Sequence, residues 1–130
     1  MIACHGFRVG LALETKSFPI LPWIPEIEDT DVDPLNWRET FRQVERSNPK
    51  VVIPGHGSIG TLTDLVEAGR HMAVVRDEVT RRCAAGQNLA TMQREMTPLL
   101  RAQHPDWDLQ DWIANEIQVY RARLCGGGRN

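Results

Sequence analysis

The residue of this sequence best placed to do chemistry is His56, which stands in Pro54-Gly55-His56-Gly57 directly after the β-branched run Val51-Val52-Ile53. A strand end is rigid, and glycines on both sides let the backbone turn sharply without a Cβ clash, so the imidazole is aimed outward. Taken alone, a strand-ending turn with an exposed histidine is common and marks no particular chemistry. A catalytic zinc, however, needs three protein ligands and an open position for the water whose pKa it lowers to roughly 7. His56 alone cannot supply that set.

The other donors are His5 beside Cys4 near the N-terminus, His71 inside a helical segment, and His104 before Pro105 in a polar loop. None has ligand spacing, so solvated or structural roles are expected for them. A zinc site shared between two copies, joining their His56 residues with His5 or Cys4, is a remote arrangement because nothing in the spacing enforces convergence. Ser58 follows His56 closely, but no Gly-x-Ser-x-Gly elbow surrounds it, and neighbours on one turn seldom align as nucleophile and base. The run Gly55 to Gly60 lacks the lysine and the spacing of a phosphate loop. Arg76, Arg81 and Arg82 are interrupted by Asp77 and Glu78 and read as a solvated helix face. Trp107, Trp112 and Tyr120 could form an aromatic docking face, although core packing is the better expectation at helical spacing.

The elements that must position His56 follow from local signals. Asp33-Pro34 starts a helix, because the carboxylate can cap free N–H groups and proline sits where its missing donor costs nothing. Trp37, Phe41 and Val44 then form one apolar stripe, and Pro49 ends the helix near Ser47 and Asn48. Val51-Val52-Ile53 reads as a buried strand leading into the turn. A long second helix is expected from about Thr63 to Ala84, with Leu65, Met72, Val75, Val79 and Cys83 near helical period and Gly86 as its stop. A third begins at its cap Asn88 and carries Leu89, Met92 and Met96, with Pro98 bending it or separating it from Leu99-Leu100. The fourth runs from a cap at Asp108 through Leu109, Trp112, Ile113, Ile117, Tyr120 and Leu124 to Gly126-Gly127-Gly128. Upstream, three prolines between Phe18 and Pro25 exclude a helix and leave an extended loop, while Val9 to Leu13 has weak strand character.

Taken in order, the acidic turn from Asp29, the capped amphipathic helix, Asn48-Pro49, the β-branched strand and Pro54-Gly55-His56-Gly57 resemble the metallo-β-lactamase-fold hydrolases. The resemblance covers Phe18 to about Asp64 and extends more loosely to Leu124. It implies an α/β fold, the C-terminal part of an αββα sandwich, mostly helical with a small sheet, in which His56 binds zinc at the mouth of the sandwich. It divides the chain into a divergent N-terminal segment 1–17, a partial domain with C-terminal helices 18–125, and a flexible tail 126–130. It also exposes what this sequence lacks: the family's His-x-His-x-Asp-His motif occurs nowhere, a further histidine is missing, and Gly10-Leu11 stands where the metal-bridging Gly-Asp would be. The resulting expectation is a C-terminal fragment of a zinc-dependent hydrolase of esters, amides or thioesters. By itself it would be inactive and would not hold zinc stably. The alternative is a non-catalytic binding or assembly module, a homodimer or the partner of a complementary N-terminal half, because half a sandwich exposes a sheet edge and an apolar face.

Composition narrows the classes further. With 130 residues, 42% hydrophobic and 25% charged, and a formal net charge of -2, the chain matches one globular domain and has no electrostatic pull toward nucleic acid or an anionic membrane. No apolar run approaches the roughly 18 to 20 residues that span a bilayer, and the N-terminus lacks signal-peptide character, so a cytoplasmic address is expected. Cys4, Cys83 and Cys125 are odd in number and without CxxC spacing, and the reducing-compartment logic predicts free thiols.

Overall fold

The computed structural model describes residues 9–10, 34–53, 59–107 and 110–126. Helices dominate them: α1 spans Pro34–Arg46, α2 Leu62–Ala84, α3 Leu89–Gln103 and α4 Ile113–Leu124, the last entered through a 3-10 turn at Gln110–Trp112. Two short strands, β1 (Val9–Gly10) and β2 (Val51–Val52), pair in parallel with Val9 opposite Val51 and Gly10 opposite Val52.

The expected α/β architecture, part of an αββα sandwich, is therefore corrected among the described residues to a mostly helical fold. The physical reason lies in the burial pattern. Each amphipathic stretch turns its apolar stripe onto another helix, whereas only one dipeptide of the Val51-Val52-Ile53 run is extended, too little backbone to form a layer. The core is thus helix on helix, with Val52 as the strand's one buried side chain.

The first two helices stop for identifiable chemical reasons. After α1, Asn48 adopts the left-handed conformation at φ 49°, one that asparagine tolerates, and its N–H reaches the Glu45 carbonyl at 2.9 Å. Gly86 closes α2 at φ 72°, donating to the Cys83 carbonyl at 2.9 Å, while Gln87 donates to Arg82 at 3.0 Å. The Asn88 side chain accepts the Thr91 N–H at 2.9 Å and so caps α3 as expected. Pro98 does not divide α3, which continues to Gln103 with the proline on its exposed side. The expected cap Asp108 and its neighbour Leu109 lie outside the described residues, and α4 begins later than the sequence suggests.

Helix α4 packs against both α2 and α3, and α1 packs against α2. Val75 and Val79 of α2, Met92 and Met96 of α3, and Ile113, Ile117 and Tyr120 of α4 are buried together. Full burial of such a side chain contributes roughly 1.5–3 kcal/mol. One crosslink departs from the expectation of free thiols: Cys83 and Cys125 form a disulfide with Cα atoms 5.5 Å apart. Cys83 lies at the end of α2 and Cys125 just past α4, so the bond joins the two helix ends. The spacing rule fails here because residues separated by 42 positions are brought together by the packing of α4 on α2.

Candidate functional site

The residues with the strongest chemical claim in the sequence, His56 with Pro54, Gly55 and Gly57, lie outside the described residues, as do Ser58, Cys4 and His5. The base from which that turn leaves and to which it returns is defined. Val52 donates to the Gly60 carbonyl at 2.9 Å and Gly60 donates back at 2.8 Å, so the chain departs and re-enters through one antiparallel pair of hydrogen bonds. Immediately after it, the Asp64 carboxylate accepts the Thr61 N–H at 2.7 Å and the Thr61 hydroxyl at 3.0 Å, fixing the start of α2. A Cβ at position 60 would lie 2.8 Å from Asp64 Oδ2, so any larger residue there would displace that carboxylate. Around this base Val51, Ile53 and Ile59 are 41%, 39% and 67% exposed, an unusual amount of bare aliphatic surface for so short a segment.

A second constellation was not anticipated as a unit. His71 of α2 and Glu116 of α4 face each other in the core, with Nε2 and Oε2 3.1 Å apart and each side chain 1% exposed. Glu116 Oε1 has no hydrogen-bond partner among the described residues. Burial pushes the Glu116 carboxyl up from its ordinary value, and the nearby His71 only partly counters that shift. Over His71 sits a stacked pair, His104 and Trp107, with ring centroids 3.7 Å apart and planes 10° from parallel. The His71 ring meets both edge-on, at 5.6 and 5.2 Å. Burial, and then the charge of His71, lower the His104 pKa.

His71 is thus a buried core residue, and His104 belongs to the same cluster rather than to a separate polar loop. A usable signal was present: His71 follows Ala68 by three and precedes Val75 by four, and Glu116 stands likewise between Ile113 and Tyr120. Both polar residues interrupt apolar stripes at core positions. Their juxtaposition can hold a proton between two helices, and it joins α2 to α4 by a polar contact inside the core.

Arg82 is a further correction. Expected on a solvated face, it is buried at 6% exposure and bonds Glu78 at 3.3 Å, Gln87 at 2.9 Å and Glu95, tying α2 to α3. Arg81 and Arg76 stay nearer solvent, paired with Glu78 and Asp77. Tyr120 joins the core, and Trp107 and Trp112 are half-buried, which matches packing better than an open aromatic face.

Among the described residues, no group of three or more histidine, cysteine, aspartate or glutamate side chains could hold a metal ion. No described helix is long and apolar enough to cross a membrane. Comparison with protein-family models, with curated proteins and with solved structures finds no match to this chain.

Proposed function

We propose that this chain is a helical portion of a zinc-dependent hydrolase akin to the metallo-β-lactamases, carrying the single ligand His56 and depending on donors beyond this sequence to complete the metal site. The observation that supports it is the order of Asp33-Pro34, an amphipathic helix, Asn48-Pro49, the β-branched Val51-Val52-Ile53 and Pro54-Gly55-His56-Gly57. Local geometry is compatible with such a role, because the Val52–Gly60 hydrogen bonds and the Asp64 cap give the intervening turn a rigid footing. Bound zinc would supply an acidified water for attack on an ester, amide or thioester carbonyl. This chain's own contribution ends at presenting one imidazole, so it is inactive alone.

The test is to load the purified chain with zinc and assay generic ester, thioester and β-lactam substrates. No turnover is expected. Metal-dependent hydrolysis that disappears in His56→Ala would overturn the inactive reading.

A specific observation favours a second reading, that of an assembly module. Val51, Ile53 and Ile59 offer exposed aliphatic surface beside β2, suited to a second copy or a complementary half-domain. Light scattering after size-exclusion chromatography separates the outcomes: a dimer supports assembly, and a compact monomer counts against self-association.

A further inference from the structure

A groove between α1 and α2 takes no part in either reading above. It encloses about 170 Å³. Its floor is made by Phe41 and Leu65, which are buried, and its rim by the more exposed Arg38, Arg42 and Arg70, with Glu45 as the acidic residue among them. An apolar floor under a mostly cationic rim is the complement of a small amphiphilic anion.

Two independent observations favour an occupant. The first concerns charge. Arg42 and Arg70 have carboxylates on their own helices, Glu39 at 3.7 Å and Glu67 at 2.8 Å, whereas no ion pair engages Arg38 among the described residues. Arg38 has its pKa lowered, first by burial and then by the like charges of Arg76 and Arg42, with Asp77 and Tyr120 opposing them. The second concerns space. Gly69 lies inside α2, where glycine weakens a helix, and a Cβ at this position would meet nothing within 4 Å. Close approach of a neighbouring element therefore does not account for it. Gly69 instead lines the groove and leaves its wall open.

We propose that this groove binds a small carboxylate with a short apolar tail, the tail lying on Phe41 and Leu65 beside Gly69 and the carboxylate on Arg38 with Arg42 or Arg70 next to it. Arginine is suited to the headgroup because its planar fork can pair both carboxylate oxygens. The inference does not depend on His56 or on any metal.

The experiment is a titration of the isotope-labelled full chain with hexanoate, followed by backbone amide shifts, with hexylammonium and inorganic phosphate as comparison probes. Hexanoate should shift amides of 38–45 and 65–73 saturably, with a Kd on the order of 1 mM as suits so small a ligand. Hexylammonium and phosphate should not. Arg38→Gln should weaken hexanoate by at least about tenfold, the loss of one charge-assisted contact. Gly69→Leu should abolish binding while the melting temperature holds. If Gly69→Leu melts early, Arg38→Gln, an alteration at the groove's rim, decides the question alone. Absence of saturable hexanoate shifts, equal response to hexylammonium, binding of phosphate as strong as hexanoate, or unchanged affinity in Arg38→Gln would each overturn the proposal.

Discussion

Helix α2 takes part in two junctions built on different principles. Along its length it meets α4 through apolar packing, a buried His71–Glu116 contact and the Cys83–Cys125 bond. Because both links join earlier residues to earlier and later to later, the two helices run in the same direction. Just before its start, Gly60 exchanges two backbone hydrogen bonds with Val52 of β2 and the Asp64 carboxylate caps Thr61, with aliphatic side chains left facing solvent. The first junction is closed and covalently secured; the second is open on the side where the His56 turn departs. The covalent link and the buried polar contact are thus both at the α2–α4 junction rather than beside β2.

The comparison breaks most directly at the disulfide. A crosslink across 42 residues is worth about 4 kcal/mol if it acts by restricting the unfolded chain. Reduction, or Cys83→Ser with Cys125→Ser, should lower the melting temperature by about 15 °C. Mass spectrometry of the unreduced protein should show the crosslinked peptide. If reduction leaves melting unchanged, the α2–α4 junction rests on packing alone.

The buried pair comes next. His71→Leu removes one partner and leaves Glu116 without its polar contact in the core, a change expected to cost about 3 kcal/mol. His71→Leu with Glu116→Met should recover most of that loss, because an apolar pair of similar volume needs no hydrogen bond. Equal destabilisation by the single and the double variant in urea unfolding would show that packing, not polarity, governs the site.

Glu116 and His104, members of the same cluster, give a pH dependence with a defined sign. Glu116 has its folded pKa raised, so its stabilising contribution is fully present below the unfolded value and is lost as pH rises through the folded one. His104 has its folded pKa lowered, so its contribution is present above the unfolded value and is lost as pH falls through the folded one. Unfolding free energies measured from pH 4 to pH 8 should therefore lose their alkaline-side slope in Glu116→Gln and their acid-side slope in His104→Gln. Slopes identical to those of the parent protein would remove both groups from the account.

What could be read in advance follows the same division. Helix positions and stops were legible because periodic apolar residues, Asn48, Gly86 and Asn88 act locally. The small sheet was overestimated because a short β-branched run signals burial and extension without saying how many strands will join it. Cys83 with Cys125 and His71 with Glu116 escaped notice as pairs, since each depends on which helix faces which, information carried by packing rather than by spacing. His56 was conspicuous for the opposite reason: glycines and a strand end mark a turn in one dimension.

The smallest expected effect tests the open junction. At Gly60 an alanine methyl would fall 2.8 Å from Asp64 Oδ2, so the carboxylate must swing away from Thr61. The loss is that of an N-terminal cap, about 1 kcal/mol, and Asp64→Ala should cost a similar amount. The double variant should then cost little more than either alone, because the two changes remove the same contact. Additive losses would mean that Gly60 matters for the Val52 hydrogen bonds themselves, making the footing of the His56 turn the more constrained part of that junction.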